Sequence, residues 1–598
     1  MTVMKQQTKY IMLGLAVTLS FGACKSDFLE RQPVSIVTDE QLWKDPKLIT
    51  GLLANYYNRL PTDMGLTDQA GSQWRNMADY DDAMWSGFSN EEGRNNIVAY
   101  ARGRWRLYDY GFVRDINLAI ENADKFGTAS LNETQRTQVK AELRFLRAYI
   151  YFEMVKRMGG VPLITEQMVY NFDGNVGYLK VPRAKEAEIY DFIASELDAI
   201  KNDIGNVTSN GPSVSRANKY TCMALKSRAM LYAATIAKYN ALNTPTVVTA
   251  GGEVGIPASR ADEYFQKSLD ASLEVLGGPY ALYKTNPNLG ENFYEALIKK
   301  TNNAEVIFVR DFLTSKSKKH LFTYDNIARG IREDNLSSSN ITPSLNLVEN
   351  FEYLDGSDGA LRTRNAGDTD YIYYDSPTDI FANKDARLYG TVIYPGAPFR
   401  GLTVDMQAGV MRWNSTTGSY DIIEGSDLGS NYTDGKPLIA ASGPHQSIQE
   451  VSNTGFYLRK YVDANGGAST RGIQSDVWWV WFRLGEIYLN AAEAAFELNQ
   501  PGDALDYVNE IRERAGFGEN SLAAVTLDQI RKERRNELAF EDHRVWDLKR
   551  WRIAHNVWTG EVNNPQDMVY SLYPYTIVRP GDAVRDNKYA FVKKLAPA

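Results

Sequence analysis

The residues best suited to chemistry form a charged run late in the chain, ERRNELAFEDHRVWDLKRW. Arginines and carboxylates stand a few residues apart there, beside apolar positions of a helical pattern. Such groups could act as acids and bases, but between packed helices arginine–carboxylate pairs usually brace the packing. The sequence therefore predicts a structural role for this cluster and for the pair Arg144 and Arg147. The charged members of the late run are Arg534, Arg535, Glu537, Glu541, Asp542 and Arg544.

The four histidines form no recognisable metal or nucleophile motif. None begins an H-E-x-x-H sequence, and no two stand at metal-ligand spacing. The chain also has no G-x-S-x-G elbow and no G-x-x-x-x-G-K-[ST] phosphate loop. We therefore predict no histidine-based metal site, no cofactor and no enzyme, and the sequence leaves a structural cation such as calcium open. A glycoside hydrolase needs only two suitably placed carboxylates, so 74 acidic residues keep that class open as a remote alternative.

Flat aromatic rings and planar polar side chains occur together in two segments without a regular period, 61–104 and HLFTYDNIARGIREDN. Aromatic rings can stack on the apolar face of a sugar, while carboxylates, amides and guanidinium groups bond its hydroxyls. The alternative is that the tryptophans simply pack into the core. We predict stacking by the rings and hydrogen bonding by the polar groups. The predicted glycan-binding residues are Trp74, Tyr80, Asp81, Trp85, Tyr324, Asn326 and Arg329.

A helical scaffold must position these loops, and its clearest part is the stretch from Trp481 to Trp551. Apolar residues recur there at three- and four-residue steps, which predicts a helix with one buried face. Pro501-Gly502 then breaks the pattern, and a second helix of the same period follows. Trp481, Leu484, Gly485 and Tyr488 also match the first-helix spacing of a tetratricopeptide repeat. The stretch is therefore predicted to be a helical hairpin with a scaffolding role.

The rest of the chain predicts a mostly α-helical body with a large irregular, loop-rich insertion. Helical periods cover 105–125, 134–157, 187–201, 216–239, 261–276 and 291–300. Between 301 and 475, Gly, Asn, Ser and Pro are frequent, and only short strand-like runs interrupt them. The last 45 or so residues look irregular. The strand-like runs between 301 and 475 are Glu305–Val309, Arg387–Ile393 and Gly455–Val462.

Composition narrows the class of protein. The 598 residues are 43% hydrophobic and 23% charged, which is ordinary for a globular protein. The formal net charge is −8, and nucleic acid requires a basic face, so nucleic acid is not predicted as a partner.

The first two dozen residues read as a secretory signal. Lys5 and Lys9 precede an apolar run, and the small residues Gly22 and Ala23 lead into Cys24. This order resembles a bacterial lipobox, in which the cysteine becomes the lipidated first residue. We therefore predict a signal peptide over 1–23 and lipid attachment at Cys24, which holds the protein on a membrane surface without spanning it.

Several segments in order resemble the SusD/RagB family of bacterial outer-membrane nutrient-binding lipoproteins. The resemblance begins at Cys24 with KSDFLE, continues through AELRFLRAYIYFEMVKRMGGVPLIT and VPRAKEAEIYDFIASEL, and includes SRANKYTCMALKSRAMLYAA. In the irregular half it includes ITPSLNLVENFEYLDG and FANKDARLYGTVIYPG, where Lys384 and Ala386 replace the usual Arg and Pro. It ends with TGFYLRKY and the charged run ERRNELAFEDHRVWDLKRW.

This resemblance implies a tetratricopeptide-like helical scaffold that carries an irregular ligand-binding half. It also implies a surface-exposed lipoprotein of the cell outer membrane that captures oligosaccharides and delivers them to a SusC-like TonB-dependent transporter. We expect an N-terminal helical part over 24–300 and a C-terminal part over 301–598, irregular over 301–475 and helical over 476–555, in one compact unit. A structural or protein-interaction lipoprotein, or a binder of peptide nutrients, is the alternative.

Overall fold

The computed structural model describes residues 38–62, 81–87, 106–208, 211–240, 246–557 and 568–596. Within these ranges no helix is both long and apolar enough to cross a membrane. The predicted signal peptide lies outside the described residues.

The first half is built from helices, as the sequence predicts. They are α1 (Asp39–Trp43), α2 (Pro46–Asn58), α3 (Tyr110–Lys125), α4 (Glu133–Met158), α5 (Glu186–Ile200), α6 (Lys219–Asn240), α7 (Ala261–Leu276) and α8 (Leu289–Ile298). Three short strands interrupt this half: β1 (Ala83–Trp85), β2 (Val207–Thr208) and β3 (Gly211–Pro212).

Local sequence explains where the longest helix, α4, begins and ends. Asn132 and Gln135 form a capping box, in which each side chain accepts a hydrogen bond from the backbone of the other residue. At the other end Gly159 adopts a φ of 69°, and a β-carbon there would lie 2.7 Å from the carbonyl oxygen of Glu253. Only glycine fits that turn, so the helix ends there, one residue beyond the predicted helical period 134–157.

The irregular half contains short elements separated by turns. Its helices are α9 (Phe322–Asn326), α10 (Leu345–Val348) and α11 (Ala386–Thr391). Its strands are β4 (Val306–Arg310), β5 (Ile341–Pro343), β6 (Val392–Ile393), β7 (Pro398–Phe399), β8 (Leu402–Thr403), β9 (Gly409–Asn414), β10 (Ser419–Glu424) and β11 (Tyr457–Leu458). The predicted strand-like run Arg387–Ile393 is therefore mainly helix and becomes strand only at its end.

The late stretch forms the predicted helical hairpin. Strand β12 (Trp479–Arg483) leads into α12 (Leu484–Glu497) and α13 (Pro501–Arg514), followed by α14 (Leu527–Leu538), α15 (Arg544–Arg550) and α16 (Ala554–Val557). Ala491, Ala492, Ala494 and Ala495 are all fully buried, and helix α12 packs closely against both α7 and α13. Small side chains at this contact allow the helix axes to approach.

The prediction of an irregular end is wrong. Strands β13 (Tyr570–Val578) and β14 (Tyr589–Leu595) form an antiparallel pair, and β13 also pairs in parallel with β9. The sheet order is β10-β9-β13-β14. The segment YSLYPYTIV is buried over most of its length, so it lacks the polar–apolar alternation of a half-exposed strand, and Pro574 further obscures it.

A buried ionic network joins the hairpin to the irregular half. The Arg483 guanidinium donates to carboxylates of Glu305 (2.8 Å), Glu537 (2.5 Å) and Glu541 (2.7 Å). Arg514 donates to Glu305 and Glu537, and Arg387 to Glu537 at 3.3 Å. Each of these side chains is 3% exposed or less. The predicted bracing role of Glu537 and Glu541 is confirmed.

Candidate functional site

Two of the predicted glycan-binding residues, Trp74 and Tyr80, lie outside the described residues, as does Cys24, the predicted lipid-attachment residue. The other five predicted residues lie in two segments, 81–87 and 320–332.

The structure brings these two segments together through a short pair of strands. Trp85 of β1 lies opposite Ile341 of β5 in an antiparallel register. The backbone N–H of Ile341 donates to the amide oxygen of Asn326 at 3.1 Å. The backbone carbonyl of Asn340 accepts from Ser86, and its N–H donates to the carbonyl of Asp325. The predicted loops are therefore neighbours in space, although more than two hundred residues separate them in the chain.

Asp81 and Asn326 use their polar groups inside the protein. Arg544 donates to both oxygens of Asp81, at 3.0 and 2.7 Å, and Arg535 lies 2.8 Å away. Burial alone would raise the pKa of Asp81, but the two guanidinium groups lower it to about 2. Asn326 is fully buried, and its amide N–H₂ donates to the backbone carbonyl of Phe322. These contacts favour positioning roles for both side chains.

Tyr324, Arg329 and Trp85 differ in how much surface they offer. Tyr324 is 6% exposed, and its hydroxyl donates to the carbonyl of Asn335 at 2.8 Å. Arg329 is partly exposed and donates to Glu450 at 3.0 Å. Trp85 is half-buried. Of the placed residues, Arg329 and Trp85 therefore retain the most surface for a ligand.

An open cleft of about 510 Å³ lies between helix α2 and the segment that follows strand β4, and none of the placed predicted residues is among its described lining. Helix α2 ends just before the predicted loop 61–104 begins, and β4 leads toward the second predicted loop. The cleft is lined by Thr50, Leu53, Ala54, Asn55, Tyr57, Asn58, Ser215, Arg216, Val309, Arg310, Asp311, Lys318 and Trp481.

The floor of the cleft is aromatic and rigid. Trp481 stacks on Phe308 with ring centres 4.8 Å apart and an interplanar angle of 26°. The hydroxyl of Tyr57 donates to Glu142 at 2.7 Å and accepts from the backbone N–H of Ala217 at 3.0 Å. The indole N–H of Trp481, which is 7% exposed, donates to no group among the described residues. The floor therefore includes an unused buried donor.

The rim of the cleft carries planar polar groups. Asn55 and Asn58 are exposed on α2, and Arg310 at the end of β4 donates to the amide oxygen of Asn58 at 2.9 Å. On another side, Arg216 forms a two-bond pair with the buried carboxylate of Glu142. Amides and guanidinium groups of this kind are well suited to bond hydroxyls or anionic oxygens.

A tight turn from Leu313 to Lys318 forms another edge of the cleft. Leu313 and Lys318 form an isolated β-bridge, and Ser317 adopts a left-handed φ of 55°. The hydroxyl and backbone N–H of Thr314 both donate to Asp476, at 2.8 and 3.0 Å. These bonds hold the turn so that Lys318 lies at the cleft.

Acidic groups are scarce in the described lining of the cleft. Asp311 is the single carboxylate among its described lining residues, whereas a glycosidase uses two. No group of three or more His, Cys, Asp or Glu side chains in the described ranges could hold a metal ion. Cys222 is buried, and burial raises its pKa far above the ordinary thiol value.

Sequence patterns did not identify Asn55, Asn58 or Arg310. The available signal was the position of α2 directly before the loop 61–104, since residues that flank a functional loop often share its site. Trp481 was placed in the scaffold, and the structure shows that its ring also forms cleft floor.

Comparison with known proteins identifies the class. A family model described as the SusD family matches residues 304–597. A second model, described as starch-binding and associating with the outer membrane, matches residues 27–231. The chain belongs to the SusD/RagB family, and its fold is the tetratricopeptide-like helical fold with an irregular insertion that the sequence predicts.

Individual relatives are similar over nearly their full length. A SusD-like protein of Formosa agariphila is 23% identical over 598 residues, which cover 96% of each chain. The crystal structure of a SusD-like protein from Bacteroides fragilis shares the fold with a TM-score of 0.64, 22% identity and 95% coverage of both chains. A laminarin-binding SusD-like protein has a TM-score of 0.54 and 18% identity, covering 90% of this chain and 99% of its own.

Proposed function

We propose that this protein is a non-catalytic, cell-surface lipoprotein that captures oligosaccharides and delivers them to a SusC-like TonB-dependent outer-membrane transporter. Family membership supports the general role, and solved structures of the same fold include a laminarin-binding protein and one with a xylogluco-oligosaccharide. A lipid on Cys24 would hold the protein at the outer membrane, in keeping with the description of the N-terminal family model.

The observation that carries the proposal is the cleft between α2 and β4. Its volume of about 510 Å³ suits a few sugar rings. The rigid aromatic floor offers apolar surface for the faces of the rings, and Asn55, Asn58 and Arg310 offer hydrogen bonds for hydroxyls. The described lining has no pair of carboxylates, which supports binding without cleavage.

The predicted loop residues extend this site in the proposal. Trp74, Tyr80 and Trp85 belong to the segment that follows α2 in the sequence, and we propose that they add stacking surface for the glycan. Arg329 remains a proposed hydrogen-bonding residue with Tyr324 beneath it. Asp81 and Asn326 are proposed to hold the two loops in place.

A blocked cleft tests the proposal. Ala54 is exposed on α2 and lines the cleft, so Ala54→Phe should fill it without removing a contact. We expect wild-type protein to bind at least one member of a polysaccharide panel by isothermal titration calorimetry, and Ala54→Phe to weaken that binding at least tenfold. Lys47→Phe adds the same ring to an exposed position of α2 outside the cleft and should bind like wild type.

The same panel separates the competing functions. Unchanged affinity in Ala54→Phe would refute the cleft as the glycan site, and loss of binding in Trp74→Ala alone would place it in the loop instead. Failure to bind any glycan would favour the protein-interaction or peptide-binding alternative. Release of reducing sugar during the titration would identify a hydrolase.

A further inference from the structure

The charges that line the cleft do not balance. Arg216 is neutralised by Glu142, and Asp311 forms an ion pair with Lys300 at 2.8 Å. Two cations remain, Arg310 and Lys318. Neither forms an ion pair with any carboxylate of the described residues, so the described lining of the cleft has a surplus of two positive charges.

Arg310 is unusual among the buried and half-buried arginines. Its guanidinium donates to the neutral amide of Asn58, and no carboxylate compensates its charge in the described part of the chain. Burial lowers the pKa of the Arg310 guanidinium below its ordinary value. An arginine that is partly removed from water without a counter-charge costs free energy. Such a cost is characteristic of a group that is held ready for an external anion.

Lys318 stands on the turn that Thr314 and Asp476 hold in place. The turn has a fixed shape, because the backbone groups of Leu313 and Lys318 bond to each other at 2.7 and 3.1 Å. Lys318 is exposed and lines the cleft with Arg310. The two cations are thus presented by neighbouring parts of one rigid segment.

One neutral group of the cleft also favours an acceptor-rich ligand. The unused indole N–H of Trp481 can only donate, whereas the amide of Asn55 can both donate and accept. A neutral sugar presents hydroxyls that donate and accept equally. A carboxylate or sulfate group presents acceptors alone and carries the missing negative charge.

We propose that the cleft selects acidic saccharides, those that carry carboxylate or sulfate groups, and that Arg310 and Lys318 recognise the anionic group. This inference rests on the proposed function, since it assumes that the cleft binds a glycan. Arg310 supplies a planar fork suited to a two-bond contact, and Lys318 supplies a point charge.

The charge of the whole protein should not attract an acidic glycan from a distance. The whole chain has a formal net charge of −8, so a polyanionic glycan gains no long-range attraction from it. Binding should depend on the short-range contacts in the cleft and should weaken as salt is added.

Matched ligand pairs provide the test. Affinities are measured by calorimetry for oligogalacturonides as free acids and as methyl esters, and for sulfated and desulfated galactan oligosaccharides. We expect at least a tenfold preference for the charged member of one pair, and the identity of that pair distinguishes uronate from sulfate. The preference should shrink between 50 and 500 mM NaCl.

Variants then assign the preference to the two cations. The double variant Arg310→Met/Lys318→Met should lose the preference for charged ligands, and Arg310→Lys should retain part of it. Lys316→Met removes a cation from the same turn outside the cleft and should leave the preference intact. Circular dichroism confirms that each variant is folded, and Arg310→Lys keeps the test decisive if the double variant is not.

Each result separates this inference from the proposed function. Tight binding of a neutral glycan, with no preference in either pair and no change in the double variant, would overturn acidic selection and leave glycan capture standing. Binding of no glycan at all would overturn the proposed function together with this inference. A preference that persists in the double variant would overturn the assignment to Arg310 and Lys318.

Discussion

The network around Arg483 and the cleft around Arg310 use the same residue type in opposite ways. Arg483 is surrounded by three carboxylates, each within 2.8 Å of its guanidinium, and the whole group is removed from water. Arg310 ends the neighbouring strand of the same β4–β12 pair, yet it has an amide as its polar partner. One arginine is satisfied by the fold, and the other keeps donors available.

Whether an arginine is paired with carboxylates inside the protein distinguishes the scaffold from the candidate site more clearly than the local density of charged residues does. The charged run of the late helices contains the most ionic groups, but their pairing inside the protein leaves little for a ligand. Burial alone would raise the pKa of Glu537, whereas Arg514, Arg483 and Arg387 together lower it. A binding site is better recognised by a polar group without an internal partner.

The largest expected effect comes from breaking the network. Arg483→Met leaves Glu305, Glu537 and Glu541 buried with less compensation, so we expect the free energy of unfolding to fall by about 3–5 kcal/mol. Urea denaturation followed by circular dichroism measures the change. The control Arg412→Met removes an arginine from an exposed pair with Asp421 and should cost less than about 1 kcal/mol. Equal losses in the two variants would contradict the distinction between paired core and exposed surface.

A smaller effect is expected at Glu186, which is as buried as the network but has no ion pair among the described residues. Its carboxylate accepts from the backbone N–H of Gly255 at 2.6 Å. Burial raises its pKa to about 7, from an ordinary value of 4.5. Because the pKa is higher in the folded state, the contribution of this group to stability is present below pH 4.5 and is lost as pH rises through 7.

Glu186→Gln should remove that pH dependence. We expect the variant to be more stable than wild type at pH 8 by about 3 kcal/mol, since each unit of pKa shift corresponds to about 1.4 kcal/mol, and nearly equal to it at pH 4.5. Denaturant unfolding at the two pH values measures the difference. Asp262→Asn, at an exposed position, serves as the control. If the difference in unfolding free energy between Glu186→Gln and wild type is the same at both pH values, the carboxyl group does not titrate as described.

The smallest effect on stability is expected in the cleft itself. Arg310→Met removes a charge that lacks a carboxylate partner and keeps the apolar stem, so the free energy of unfolding should change by less than about 1 kcal/mol. Thermal and urea unfolding provide the measurement. A loss as large as that of Arg483→Met would show that Arg310 braces the fold and is not held for a ligand.

The sequence predicts the scaffold well because its helices repeat their apolar residues over many turns. Helix α7 spans 261–276 as predicted, and α4 begins and ends within one residue of the predicted 134–157. Strand β13 was missed because a segment buried on both faces shows no alternation, and β14 mixes buried, half-buried and exposed positions without a regular one. Local pattern is thus a reliable guide where one face of an element meets water.

The candidate site could be predicted only in part. The pairing of Trp85 with Ile341 brings the two predicted loops together, but nothing in either loop shows that Arg544 and Arg535 occupy Asp81. The contact of Asn58 with Arg310 joins residues 252 positions apart. Such contacts are set by the tertiary fold, so residue type and local spacing do not reveal them.

The pairing of β13 with β9 has a consequence for how the chain is made. Strand β9 acquires its parallel neighbour from a segment that is synthesised long after it, beyond the entire helical hairpin. Until β13 emerges, the hairpin of β9 and β10 has an open edge that could join another chain. Pairing β13 with β9 therefore requires a contact across more than 150 residues of chain, and contacts of such long sequence separation slow folding.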